Sequence, residues 1–210
     1  CERVTTMKAL LRWLGLVVIA VVALQLFFVA RIAAMAVVAP ESTAFQRSES
    51  WTQLASKGQV RWRQQWMPYT QISDHLKRAV IASEDDSFVN HDGVDWNAIE
   101  KAWERNAQAE AQIAKAQARA PDKPVRAPKI RGGSTITQQL AKNLLLSGER
   151  TLLRKGQEFM LTLALEKLLS KERILEIYLN NVEWGQGVFG AEAAARHYFK
   201  KPAARLSNNE

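Results

Sequence analysis

Residues 131–146 read RGGSTITQQLAKNLLL. Two glycines lead into Ser134 and Thr135, and Ile136, Leu140 and Leu144 then recur at the spacing of one helix face. Thr135 is a candidate N-cap, and Gln138 three residues later offers the second half of a capping box. A helix is therefore predicted over 135–146. The same period continues at 152–169, 171–180 and 190–199. Upstream, Ser73 is placed to cap a helix carrying Leu76, Ala79 and Val80. Asp95 is placed to cap another, with Trp96, Ile99 and Trp103 at helical spacing. No run of alternating apolar and β-branched residues is long enough to propose a sheet, and no internal repeat is visible. The expected fold class is mainly α.

Composition narrows the classes of function. Apolar residues at 47% and charged residues at 24% exclude wholesale disorder. A single cysteine, Cys1, excludes an internal disulfide framework and a thiolate zinc site. The three histidines (His75, His91, His197) share no close metal-ligand spacing. The net charge of +8 is no argument for nucleic acid, because part of it flanks an apolar segment and no nucleic-acid motif is present.

That apolar segment runs from Trp13 to Ala30, WLGLVVIAVVALQLFFVA, without a charge. At about 1.5 Å per residue it covers roughly 27 Å, near the ~30 Å hydrocarbon core of a bilayer. It exceeds the apolar core of about 7–15 residues in a cleavable signal peptide, and it is apolar on every face. Arg31 follows, placed to snorkel to the interface, and Ile32–Ala39 is apolar again. Arg3, Lys8 and Arg12 precede the run, so the positive-inside rule predicts a single-pass anchor with a cytoplasmic N-terminus. Three units are expected: 1–39 as cytoplasmic N-terminus and anchor, 40–71 as a polar stalk, and 72–210 as the outer domain. Residues 107–129, rich in Ala, Gln and Pro, are expected as a mobile insertion whose first half extends a helix into solvent and whose second half, with three prolines, is a mobile loop.

Several residues stand out chemically. The glycine-rich start at Gly132–Thr135 suits an anion, particularly phosphate, although a plain turn and cap would look the same. Lys142, Arg150, Arg154 and Lys155 follow it and favour the anion. Glu84-Asp85-Asp86 ends the helix after Ser73, where the dipole disfavours negative charge and suits a proton acceptor. A solvated acidic turn is the alternative. Glu158 shares a helix face with Arg154 and Lys155, a trio also compatible with ordinary surface ion pairs. His91 reads as a loop-ordering residue.

Taken together, these stretches resemble the ordered signatures of the peptidoglycan glycosyltransferases (glycosyltransferase family 51). Glu84-Asp85-x-x-Phe88-x-x-His91-x-Gly93 is similar to the first, GGSTITQQ within 131–146 to the second, and Arg154-Lys155-x-x-Glu158 to the third. KERILEIYLN (171–180) and GVFGAEAAARHYFKKPA (187–203) are similar to the fourth and fifth, the latter in its monofunctional form. The resemblance implies a lysozyme-like glycosyltransferase domain on the outer, periplasmic face of the bacterial cytoplasmic (inner) membrane. It implies a polymerase that transfers a glycan chain from undecaprenyl pyrophosphate to the GlcNAc 4-hydroxyl of lipid II, with inversion, forming β-1,4 bonds.

Glu84 falls on the family's general base and Glu158 on its second acidic position. Ser134, Gln138, Lys142, Arg150 and Lys155 fall on positions that line the donor site and hold the diphosphate. A Mg²⁺ or Mn²⁺ ion near Glu158 is an option that no sequence motif requires. Expected partners are lipid II, the lipid-linked glycan, membrane lipids and other cell-wall synthesis proteins, not nucleic acid. Ser87 and Val89 depart from the family's basic and aromatic residues, and the family continues past Glu210 into a further helix and lobe. A lysozyme-like enzyme that cuts glycan and a catalytically silent lipid II-binding scaffold are the alternatives.

Overall fold

The computed structural model describes residues 2–119, 133–146 and 151–210. Eight α-helices lie among them: α1 (Glu2–Ala34), α2 (Ala44–Lys57), α3 (Asp74–Glu84), α4 (Trp96–Arg119), α5 (Ile136–Leu145), α6 (Leu152–Leu168), α7 (Lys171–Asn181) and α8 (Ala191–Tyr198). The predicted helices at 135–146, 152–169, 171–180 and 190–199 correspond to α5 to α8. Ser73 caps α3 by accepting the His75 N–H. The Asp95 Oδ1 accepts the Ala98 N–H at 2.8 Å at the start of α4. Helix α4 runs on through Arg119, so the first half of the 107–129 insertion is helical; residues 120–129 lie outside the described residues.

A sheet that the sequence did not suggest is present. Strands β1 (Arg63–Gln64), β2 (Glu183–Gly185) and β3 (Val188–Phe189) order as β1-β3-β2, parallel between β1 and β3 and antiparallel between β2 and β3. Strands of two or three residues are too short to carry an alternating pattern.

Helix α5 is the centre of the domain, packed against α6, α2 and α7. Ile136, Leu140, Ala141 and Leu144 are fully buried there with Leu161 and Leu165 of α6 and Ile174, Leu175 and Ile177 of α7. Burial of each large side chain contributes roughly 1.5–3 kcal/mol.

Helix α1 is the one described helix long and apolar enough to cross a membrane, over Met7–Ala34 at a mean hydropathy of 2.6. Its upper length is exposed apolar surface, whereas Ile32 and, just past the helix, Met35 enter the domain core. The side-chain amides of Gln25 and Gln157 exchange two hydrogen bonds of 2.9 Å, and Arg173 Nε donates to the Met35 carbonyl at 2.7 Å. The anchor thus rests directly on α6 and α7.

The segment 40–71, expected as a stalk, is instead packed on the domain. Thr43 and Gln46 form a capping box and are fully buried, and Gln53 accepts the Arg61 N–H at 2.9 Å. Asn180 receives the Met67 N–H on its side-chain oxygen at 2.7 Å and returns its amide to the Met67 carbonyl at 2.9 Å. The inward face of α2 buries hydrogen-bonded glutamines, so no apolar period betrayed it.

Candidate active site

The site begins where two signatures meet. Asp85, directly after α3, is buried, and its Oδ2 accepts the Ile136 N–H at 3.0 Å across 51 positions of sequence. One of the free N–H groups at the start of α5 is thereby satisfied by a carboxylate, which also suits the positive end of the helix dipole. The Gly93 N–H donates to His91 Nδ1 at 3.0 Å, so the ring N–H on Nε2 is the one facing Asp85 at 2.9 Å. Thr135 completes the lock by donating its hydroxyl to the Gly93 carbonyl at 2.6 Å. His91 is therefore loop-ordering, as expected.

Gly93 has φ +89°, and a Cβ there would lie 2.7 Å from Thr162 Cγ2, so only glycine fits. Lys171 Nζ donates to the His91 carbonyl at 2.6 Å, pairs with Glu166 at 2.9 Å and lies 4.6 Å from the Phe88 ring centre. Ser87, one of the departures from the family pattern, donates to Asp95, while Val89 is exposed.

This frame leaves Glu84, the last residue of α3, exposed. Gln139 Nε2 donates to its Oε2 at 3.0 Å, and the Tyr178 hydroxyl donates to Gln139 Oε1 at 3.0 Å. Burial first, then the charges of Glu84 and Asp85, push the Tyr178 phenol well above its ordinary range and keep it a donor. Glu84 lines a cavity of about 720 Å³ with Asp86, Lys101, Arg105, Gly133 and Ser134.

A second cavity of about 570 Å³ adjoins it, lined by Ser134, Gln138, Lys155, Trp103 and Glu110. The two share Ala102, Gly133 and Ser134. Gly133 lets the start of α5 lie close against α4, because a Cβ there would come to 3.0 Å from Ile99 Cα. The capping box predicted for Thr135 and Gln138 is formed. It uses the Gln138 amide oxygen and leaves the NH₂ group for the cavity.

Glu158 is buried, not one of a set of surface ion pairs. Arg154 Nη1 binds its Oε2 at 2.9 Å and Lys155 Nζ binds its Oε1. Lys155 itself is half exposed and reaches the second cavity. The donor set at Glu158 does not suit Mg²⁺ or Mn²⁺, since both carboxylate oxygens already face cations.

Glu84, Ser134, Gln138 and Lys155 thus share one cleft, with Glu158 behind Lys155. Lys142 lines neither cavity; it is exposed on α5, about 9 Å along the axis from Ile136. Arg150 lies outside the described residues. Gln139, Asp85, Tyr178 and Lys171 were missed as site residues, although all four lie inside the quoted signatures.

A lysozyme-like helical domain standing at the foot of a membrane helix, with a cleft joining the accessible Glu84 carboxylate to a cation-bearing subsite, defines the class: a membrane-anchored glycan enzyme. The transglycosylase family model matches residues 50–210. A biosynthetic peptidoglycan transglycosylase of Burkholderia thailandensis is 49% identical over 207 residues, covering 97% of this chain and 74% of that protein. Those of Cupriavidus pinatubonensis and Ralstonia nicotianae are each 52% identical over 204 residues, covering 93% and 94% of this chain and 73% and 80% of theirs. The chain belongs to the biosynthetic peptidoglycan transglycosylase family and is a peptidoglycan glycosyltransferase, an enzyme that polymerises glycan strands.

Proposed function

We propose that the enzyme adds lipid II to a growing strand carried on a polyprenyl pyrophosphate. The GlcNAc 4-hydroxyl of lipid II attacks C1 of the donor MurNAc. The new O4–C1 bond forms as the C1–O bond to pyrophosphate breaks, with inversion. Glu84 takes the hydroxyl proton, a role worth about 10²–10⁴-fold in rate. The departing pyrophosphate needs no proton if its charge is met by Lys155 and by the polar groups of Ser134 and Gln138. Glu158 positions Lys155 and Arg154 and does not touch the reacting atoms.

The observation that carries this reading is the wall of Ala102, Gly133 and Ser134 shared by the Glu84 cavity and the Lys155 cavity. A glycan hydrolase would want a second carboxylate free to act as acid. Glu158, the second acidic position of the resemblance, is buried and doubly paired and so is not free to act as that acid. Arg3, Lys8 and Arg12, ahead of the apolar run of α1, support a cytoplasmic N-terminus, with the domain on the outer face of the cytoplasmic membrane.

The test is a gel-resolved assay of the membrane-inserted chain on lipid II and, separately, on preformed glycan. Lipid II is lengthened and glycan left intact, and Glu84→Gln abolishes lengthening while the melting curve stays unchanged. Cleavage of the glycan, or a near wild-type rate for Glu84→Gln, overturns the assignment.

A further inference from the structure

At the end of α1, away from the catalytic cleft, a small cavity of about 290 Å³ is lined by Arg31, Arg47, Glu41, Ser42, Met35 and Val38, among others. It shares no lining residue with either cleft cavity. Arg31 is the one charged residue between positions 13 and 34 and lies in the last turn of α1. It is partly buried, yet its side chain has no hydrogen bond or ion pair among the described residues. Arg47 lines the opposite chain segment of the cavity. Its Nη1 donates to the Ser42 carbonyl at 3.3 Å and to Ser42 Oγ at 3.0 Å, which fixes the guanidinium and leaves its other N–H groups uncommitted. Glu41 is exposed and forms no ion pair with either arginine.

A partly desolvated guanidinium without a partner is costly, and a second one facing the same space makes it costlier. An anion between them removes both penalties, and guanidinium forks match phosphate oxygens in pairs. Location selects the source of that phosphate. The cavity lies at the last turn of the membrane helix, and Val37 and Val38, immediately beyond, are 85% and 61% exposed. Apolar side chains at that level belong in the acyl boundary, with arginines at headgroup depth.

We propose that Arg31 and Arg47 form a headgroup site for an anionic phospholipid, holding its phosphodiester where the anchor meets the domain. A zwitterionic headgroup is disfavoured because it brings a third cation into a cavity that already holds two.

The test is native mass spectrometry of the full chain in detergent, titrated with dihexanoyl phosphatidylglycerol, dihexanoyl phosphatidylcholine or inorganic phosphate. The wild type binds phosphatidylglycerol in preference to the other two. Arg31→Gln and Arg47→Gln each weaken that binding about fivefold, and Arg31→Lys/Arg47→Lys retains most of it. Because the lysine variant keeps the charges, it separates lost binding from lost folding. Equal binding of phosphatidylcholine, equal binding of free phosphate, or undiminished phosphatidylglycerol binding by Arg31→Gln/Arg47→Gln overturns the site.

Discussion

Gln139 hands its side-chain amide to Glu84 at 3.0 Å, so the second signature grips the carboxylate that the first one supplies. Gln139 is itself held from the far side by the Tyr178 hydroxyl. The exposed carboxylate therefore has one defined hydrogen-bonded orientation, with its other oxygen left for a substrate proton.

Gln139→Leu removes this grip without touching the core, and turnover on lipid II is expected to fall about 10- to 100-fold, the scale of a misplaced catalytic group. Tyr178→Phe, which loosens Gln139 but leaves it present, is expected to have a smaller effect in the same direction. The comparison is of kcat in both variants at saturating lipid II; a Gln139→Leu enzyme of unchanged kcat removes the positioning role.

Asp85→Ala leaves the Ile136 N–H and the His91 ring N–H without their buried acceptor. A loss of about 2–4 kcal/mol in unfolding free energy is expected. Denaturant titration in detergent measures it, and a loss below ~1 kcal/mol would mean that water replaces the carboxylate.

Glu158→Gln keeps the shape of the side chain but removes the charge opposite Arg154 and Lys155. Lys155 loses its fixed position, so apparent affinity for the lipid-linked donor is expected to weaken about tenfold while Glu84-dependent proton transfer continues. The readout is the split between KM and kcat for donor. A loss confined to kcat would instead place Glu158 at the reacting atoms.

Tyr178 makes stability sensitive to alkaline pH. Its folded-state pKa is raised, so its contribution is complete below the ordinary tyrosine value of about 10. Above that value the unfolded chain releases the phenol proton while the folded chain retains it, and stability falls as pH climbs toward the folded value. The melting temperature of the wild type is expected to drop faster above pH 10 than that of Tyr178→Phe. Parallel slopes for the two proteins would remove the effect.

Gly93→Ala combines a positive φ with a Cβ pressed against Thr162 and Glu166. A cost of at least about 1–3 kcal/mol is expected, together with disorder of the His91 loop. Thermal melting checks the first, and hydrogen exchange at Gly93 checks the second.

Sequence alone determined what is local. The caps at Ser73, Asp95 and Thr135 were legible because a short polar side chain bonds a backbone N–H two or three residues away. The membrane helix was legible because a bilayer asks only for an unbroken apolar length. The signatures, read in order, sufficed to name the family and to nominate Glu84, Ser134, Gln138, Lys142, Arg150, Lys155 and Glu158 for the site.

Tertiary structure alone decided the rest. Asp85 looked like a solvated acid until the start of α5 was laid against it. Gln46 and Gln53 looked like surface residues of a stalk until α2 was packed with its glutamines inward. Glu158 looked like one member of a surface trio until burial closed over it. In each case the deciding partner is an atom far along the chain, and burial depends on what the rest of the fold lays over a residue, a relation that no local period or spacing encodes.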